Sequence, residues 1–339
     1  MEPRRARGGD CRPPFPVYEH LVDDLLAAHT PAAPARDASV AHVLGACAGY
    51  AYSDIETVAM IMARLGLESN GCARVAQTVD AMFIFSTAYL VQSPCGRVVV
   101  LCYRGTEPAG LLNWIGDADV GPESLSLVQG DAQPLRVHAG FYRNMRATRW
   151  AVLDELRLAL QGKSLADPQQ RLEHSLEALY VTGHSLGGAM AVLFALALDS
   201  DGADRAIAER LRAVYTFGQP MVIAEPLPPR AAQLGRMLFR HVRERDPVPA
   251  LPPALWGKFV HFGHEYRNAD GRWELATAPT AQLAGIKELP NSLFAFFASE
   301  KRRASLRYSL ADHGPHYYIA ALRPPGRVTE FGDHAQSGS

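Results

Sequence analysis

Residues 180–188 read YVTGHSLGG and place Ser185 in the pattern G-x-S-x-G. Apolar residues before the pattern predict a buried strand, and the run rich in alanine and leucine after it predicts a helix over about 186–198. The glycines fit a strand that turns sharply into a helix, because larger side chains would clash there. Such a turn exposes the serine hydroxyl and aims helix N–H groups at developing negative charge. Ser185 is therefore a candidate nucleophile; the alternative is a glycine-rich turn whose serine caps the helix.

The segments around this turn alternate between predicted strands and predicted helices. Helical spacing occurs over 58–65 and 145–160. The apolar runs lack alternation with polar residues, which is typical of strands buried on both faces; these runs are 98–102, 178–181 and 213–217. The pattern predicts an α/β protein of the α/β-hydrolase kind, with a mostly parallel central sheet and helices on both faces.

The chain as a whole suits one domain of this class, which we place over 17–330. Residues 1–16 are rich in arginine, glycine and proline and have little to bury, so we predict a disordered segment there. Residues 331–339 read as a loose C-terminal tail. With 34 Lys and Arg against 35 Asp and Glu, the formal net charge is -1, and we expect no nucleic-acid partner.

Five cysteines at wide spacing, without a CxxC pair, argue against a disulfide framework or a zinc site. No apolar stretch typical of a signal peptide follows residues 1–16. The longest apolar run, 189–198, is short for a membrane span and predicts a buried core helix. We therefore expect a cytoplasmic protein, with a non-standard export route as the alternative.

A serine nucleophile needs a carboxylate that orients its base, and in α/β-hydrolases the acid follows the serine in the chain. Asp246 follows the predicted strand 239–242, at the end of the sheet where function collects. Pro247 restricts the backbone of Asp246 and helps to hold the carboxylate in place. Glu244 is a rival acid, and an Asp-Pro turn without a chemical role is the structural alternative.

The base should be a histidine that follows the acid. His313 lies in a loop ahead of a predicted helix, and His316 is an alternative base three residues later. Other histidines after Ser185 are weaker candidates because they precede Asp246 or lie in a strand-like run; they are His241, His261 and His264.

Two backbone donors are expected to stabilise the oxyanion. One is the N–H of Leu186, directly after the nucleophile. The second is Thr106, which follows the predicted strand 98–102 and offers both its N–H and its hydroxyl. By itself, Thr106 is more typical of a simple turn or cap residue.

Eight short motifs in order resemble the class 3 lipases, the fungal-lipase-like branch of the α/β-hydrolases. They are YRGT (103–106), NWIGD (113–117), VHAGFY (137–142), GHSLGG (183–188), FGQP (217–220), DPVP (246–249), GHEY (263–266) and DHG (312–314) with Tyr318. The resemblance covers about 40–325. It implies a triad of Ser185, Asp246 and His313, with no metal or cofactor. Tyr103 replaces the usual phenylalanine and Gly314 the usual serine.

The segment 107–120 is a candidate lid. It carries apolar residues close to the predicted site, which suits a segment that opens at a lipid surface, and the family resemblance places the fungal lid here. The alternative is a loop packed in the core. The residues concerned are Leu111, Leu112, Trp114 and Ile115.

Together these features predict a serine ester hydrolase that cleaves acylglycerol or related lipid esters through an acyl-enzyme. The expected partner is a small-molecule or lipid ester, with transient contact to lipid surfaces. A phospholipase or a feruloyl-type esterase with the same triad is the alternative. An alternative of another class is a non-catalytic α/β-hydrolase that serves as a binding module and lacks a triad member.

Overall fold

A computed structural model describes residues 2–29, 35–82, 84–106, 122–125, 135–198, 202–269, 271–284 and 309–334. The helices are α1 (Leu21–Ala27), α2 (Ala38–Tyr50), α3 (Ile55–Leu65), α4 (Ala139–Leu160), α5 (Leu186–Leu198), α6 (Arg205–Ala208), α7 (Pro229–Gly235) and α8 (Pro315–Leu322). The strands are β1 (Arg4–Arg7), β2 (Gly71–Val79), β3 (Ile84–Gln92), β4 (Val98–Tyr103), β5 (Pro122–Leu125), β6 (Leu135–His138), β7 (Ala178–His184), β8 (Leu211–Phe217), β9 (Ile223–Ala224), β10 (Leu238–Arg243), β11 (Phe259–Val260), β12 (His264–Ala269) and β13 (Arg272–Leu275).

Within the ranges that the structure describes, the central sheet has nine strands in the order β1-β2-β3-β4-β7-β8-β10-β12-β13. Its middle, from β4 to β12, is parallel, whereas β1 to β3 and β13 extend the two edges in antiparallel fashion. The predicted fold class is therefore confirmed for the centre of the sheet. A second sheet consists of short antiparallel strands in the order β11-β9-β6-β5. Its strand β6 is followed directly by α4.

Two hydrophobic cores lie on opposite faces of the central sheet, and β4 contributes to both. Val99 and Leu101 belong to the core that contains α4 and α5, whereas Val98 and Val100 belong to the core that contains α2 and α3. All four side chains are fully buried. Helices cover both faces, so the strand has no polar face and its sequence shows no alternation.

The prediction of a disordered N-terminal segment is wrong for residues 4–7. These residues form β1, which pairs antiparallel with β2 at the sheet edge. Both terminal nitrogens of the Arg5 guanidinium donate to the Glu155 carboxylate on α4, at 2.8 Å each. The segment is thus held by a backbone ladder and an ion pair. Its composition offers little apolar surface and did not indicate either.

Part of the predicted C-terminal tail is also ordered. The N–H of Thr329 donates to the carbonyl of Asp333 at 2.8 Å, and Val328 forms a bridge with His334. Residues 335–339 lie outside the described residues. Within the described ranges, no single helix is long and apolar enough to cross a membrane, although the bent pair Leu186–Leu198 and Gly202–Ala208 passes that test by length and composition.

We expect Arg5→Ala to lower the free energy of unfolding by about 2 kcal/mol, because Glu155 is buried and would keep an unpaired charge. Urea unfolding checks this value. Arg4→Ala, on an exposed neighbour in β1, is the matched control. An Arg5→Ala/Glu155→Leu double variant should recover much of the loss. Equal unfolding free energies for Arg5→Ala and Arg4→Ala would contradict the assigned role of the pair.

Candidate active site

Ser185 lies at the turn between β7 and α5 with a backbone φ of +58°. This left-handed conformation is uncommon for a residue with a side chain and stores strain. The neighbouring strand β8 holds this turn in place, because the N–H of Ser185 donates to the carbonyl of Phe217 at the end of β8, at 2.9 Å. On its other side, the Ser185 carbonyl accepts from the N–H groups of Gly188 and Ala189. The serine is therefore fixed at the carboxyl edge of the parallel strands.

The glycines of the pattern are required by close backbone approaches. A Cβ on Gly183 would lie 2.3 Å from the carbonyl oxygen of Gly187, and a Cβ on Gly187 would lie 2.1 Å from the carbonyl oxygen of Tyr103. Neither distance is compatible with a side chain. The second approach also brings the end of β4 against the start of α5.

Asp246 and His313 form a hydrogen-bonded pair. The carboxylate can only accept, so Nδ1 of His313 carries the proton and donates to Oδ2 of Asp246 at 2.8 Å. Both side chains are buried. A neutral imidazole protonated on Nδ1 has its lone pair on Nε2. Among the described residues, neither Nε2 of His313 nor Oγ of Ser185 has a hydrogen-bond partner.

Two further donors fix the Asp246 carboxylate. The Tyr318 hydroxyl donates to Oδ2 at 2.7 Å, and the N–H of Val248 donates to Oδ1 at 2.9 Å. Burial, and then the charge of Asp246, raise the pKa of Tyr318 well above its usual value of 10. The phenol therefore stays protonated and keeps donating. Tyr318 in turn accepts from the N–H of Arg243.

Gly218 provides the space in which this pair sits. Its φ is +59°, and a Cβ there would lie 2.7 Å from Oδ2 of Asp246 and 2.9 Å from both Cε1 and Nδ1 of His313. Gly218 directly follows Phe217, whose carbonyl holds the Ser185 turn. His313 is thereby brought next to the turn that carries Ser185.

The rival acid and base lie elsewhere. Glu244 is exposed, and so is His316, whose ring packs against Tyr317. His241 is fully buried and accepts a hydrogen bond from Arg36. The remaining two histidines are also engaged in contacts of the fold: His261 with the carbonyl of Pro249, and His264 with the ring of Phe239.

The two predicted oxyanion donors lie on segments that touch each other. Leu186 is the first residue of α5, where N–H groups have no partner within the helix. Thr106 is half-buried and follows Gly105, where a Cβ would lie 2.6 Å from the carbonyl oxygen of His184. The loop after β4 therefore presses directly on the Ser185 turn.

The candidate lid residues Leu111, Leu112, Trp114 and Ile115 lie outside the described residues. Their role stays a prediction.

Sequence reasoning missed His184 and Tyr52. The ring of His184 contacts the main-chain carbonyl of His313 through Nε2 at 2.7 Å, and Tyr52 contacts Nδ1 of His184 through its hydroxyl at 2.9 Å. Burial, and then the proximity of His313, lower the pKa of His184 well below 6.5. The position of His184 beside the nucleophile was a usable signal. Nothing in the sequence around Tyr52 indicated its contact.

Residues 100–256 match the family model described as lipase (class 3). The chain is 29% identical to a lipase of Rhizomucor miehei over 223 residues, covering 66% of this chain and 56% of that one. It is 31% identical to secreted mono- and diacylglycerol lipase 2 of Gibberella zeae over 193 residues, covering 50% and 43%. The chain thus spans about half the length of the curated relatives it matches.

Among solved structures, the lipase of Rhizomucor miehei in its propeptide complex superposes with a TM-score of 0.53. The identity is 22%, with 83% of this chain and 78% of that chain covered. The fold is therefore the α/β-hydrolase fold of these lipases. Residues 100–256, which include both the Ser185 turn and Asp246, are thus similar to the class 3 lipases.

The expectation of a cytoplasmic protein is wrong by the same comparison. Relatives from Gibberella zeae, Fusarium solani and Penicillium cyclopium carry the word secreted in their names. That expectation depended on the missing signal-peptide pattern, and the compartment of this protein does not follow from the first residues of this sequence.

We expect Gly218→Ala to lower ester turnover by about 100-fold or more, because the new methyl group displaces the Asp246–His313 pair and small misplacements are costly. Steady-state kinetics on a soluble ester measures this. Gly271→Ala is the matched control: its φ of +76° is equally unfavourable, but its Cβ meets nothing within 4 Å. If both variants lose activity equally, strain alone explains the loss and the proposed crowding is wrong.

Proposed function

We propose that this protein is a serine ester hydrolase that cleaves acylglycerols or related lipid esters through an acyl-enzyme. One observation carries the proposal: the serine on the strained turn and the Asp246–His313 pair meet at one edge of the sheet. The ring of His184, the residue before Ser185, lies 4.5 Å from the ring of His313. Gly218 follows Phe217, whose carbonyl accepts from Ser185, and a Cβ on Gly218 would lie 2.9 Å from Nδ1 of His313.

In the acylation step, Oγ of Ser185 attacks the ester carbonyl carbon while Nε2 of His313 takes its proton. Asp246 keeps the proton of His313 on Nδ1 and stabilises the imidazolium that forms. The negative charge on the carbonyl oxygen is met by the N–H of Leu186 and by the N–H and hydroxyl of Thr106. His313 then protonates the leaving alcohol, and the acyl group stays on Ser185.

In the second step, water attacks the acyl-enzyme while His313 takes its proton. Collapse of the tetrahedral intermediate releases the carboxylic acid and returns the proton to Ser185. The side chains of Ser185, His313, Asp246 and Thr106, together with backbone donors, supply every group that this chemistry requires. The mechanism assigns no role to a metal or cofactor.

The substrate class is proposed from the relatives, whose names are those of acylglycerol lipases. On this similarity we propose that the substrate is a lipid ester, that the protein makes transient contact with lipid surfaces, and that it acts outside the cell. Phospholipids and feruloyl-type esters are cleaved by the same triad chemistry, so substrate tests must include them.

We expect Ser185→Ala to lower kcat on p-nitrophenyl esters by roughly 10⁴-fold or more, because no other group replaces the nucleophile. Wild type is assayed on esters of graded chain length and then on emulsified acylglycerols, a phosphatidylcholine and methyl ferulate. Ser164→Ala, at a buried serine on a distant loop, is the control. Equal rates for wild type and Ser185→Ala would refute the catalytic claim, and preference for phospholipid or ferulate would replace the acylglycerol substrate.

We expect His313→Ala to abolish most turnover, by about 10³-fold or more, since it removes the general base. His316→Ala should keep turnover within a few-fold of wild type because its ring is exposed and away from Asp246. Both variants are compared in the same ester assay. Loss of turnover only in His316→Ala would transfer the role of base to that residue.

A further inference from the structure

The main chain of His313 is held by the residue that precedes the nucleophile. Nε2 of His184 lies 2.7 Å from the carbonyl oxygen of His313, and the two residues are 129 positions apart in the sequence. His184 ends β7, whereas His313 ends the 3-10 turn Leu310–His313. The contact therefore joins the central sheet to the segment that carries the base.

The partners of His184 determine which of its nitrogens carries the proton. A carbonyl oxygen has no proton to give, so Nε2 of His184 must be the donor. Nδ1 of the neutral ring then has the lone pair, and the Tyr52 hydroxyl donates to it at 2.9 Å. The carbonyl of His313 thus requires this tautomer, and the hydrogen bond from Tyr52 to Nδ1 stabilises it.

We infer that His184 and Tyr52 form a positioning relay that fixes the main chain of His313 and thereby the direction of its Nε2 toward Ser185. The inference rests on the proposed function, because it assigns the relay to the same catalytic base. Asp246 fixes the imidazole at Nδ1, and His184 fixes the backbone from which that imidazole projects. Two attachment points leave the ring little freedom to rotate away from the serine. Neither relay residue touches the reacting atoms in this scheme.

The relay also suits the charge that appears during turnover. The rings of His184 and His313 are 4.5 Å apart. When His313 takes the proton of Ser185 it becomes positive, and a second positive ring at that distance would oppose the step. Burial and the proximity of His313 lower the pKa of His184 well below 6.5, so this ring stays neutral and continues to donate from Nε2.

Tyr52 connects the relay to the loop that carries Thr106. A Cβ on Gly105 would lie 2.2 Å from the Tyr52 hydroxyl oxygen and 2.6 Å from the carbonyl oxygen of His184. The guanidinium of Arg104 lies 5.7 Å from the centre of the Tyr52 ring. Tyr52 therefore lies where the loop after β4 and the Ser185 turn meet the 3-10 turn that carries His313.

Three variants test the relay by kinetics. His184→Leu removes the donor and should lower kcat about 100-fold, whereas His184→Gln presents an amide N–H near the position of Nε2 and should recover at least a tenth of wild-type kcat. Tyr52→Phe should lower kcat about 10-fold with KM within twofold. Tyr50→Phe is the matched control, since its hydroxyl donates to Glu330 away from the site.

The kinetic outcomes separate the relay from the proposed function. If wild type does not hydrolyse esters, the proposed function fails. If wild type is active but His184→Leu and His184→Gln have the same kcat and the same melting temperature, the relay is wrong. If His184→Leu does not fold, the kcat of Tyr52→Phe decides: a value equal to that of Tyr50→Phe overturns the relay.

Nitrogen-15 NMR of labelled histidine, recorded on Ser185→Ala, tests the relay without activity. We expect the spectrum of His184 to report a proton on Nε2 and none on Nδ1 near neutral pH. Tyr52→Phe in the same background should move the Nδ1 resonance of His184, because the lone pair of Nδ1 loses its hydrogen-bond donor. A His184 ring protonated on Nδ1 in the parent, or an Nδ1 resonance that does not move in Tyr52→Phe, overturns the inference.

Discussion

The hydrogen bond from the N–H of Ser185 to the carbonyl of Phe217 holds a serine at a φ of +58°, a conformation that costs on the order of 1–2 kcal/mol. Most other features of the site accommodate this turn. Gly183 and Gly187 leave room for its backbone, and Gly218, one residue beyond Phe217, leaves room for the acid and base. Without that bond, which joins the ends of neighbouring parallel strands, the backbone of Ser185 would leave its strained φ. The groups around Ser185 would then no longer be fixed in position relative to its hydroxyl.

The sequence predicted the parts of the site that depend on local backbone geometry. The G-x-S-x-G pattern, a strand before it and a helix after it follow from steric rules that a sequence displays directly. Chain order and resemblance to a family predicted Asp246 and His313. In the structure, Nδ1 of His313 lies 2.8 Å from Oδ2 of Asp246. Thr106 follows β4 as expected, and Glu244 and His316, which chain order left open, are exposed.

What escaped prediction depends on long-range contacts that leave no local pattern. Arg5 looked like part of a disordered segment because its partner, Glu155, is 150 residues away. Tyr52 lies 132 residues from His184, and no periodicity relates the two. The antiparallel pairing of β1 to β3 was likewise not indicated, since β1 has little apolar surface and the apolar run of β3 does not show the direction of its neighbours. Such pairings are set by the assembled sheet and not by any segment alone.

The groups around Ser185 are far apart along the chain, and this separation affects when the site is assembled during folding. His313 is 67 residues from Asp246, and its backbone carbonyl is 129 residues from His184. Closing such loops is entropically costly, and contacts of this kind form after local helices and hairpins. A partly folded chain therefore has helices and strands but no competent serine. The proposed active site is therefore complete only after its last long-range contacts close.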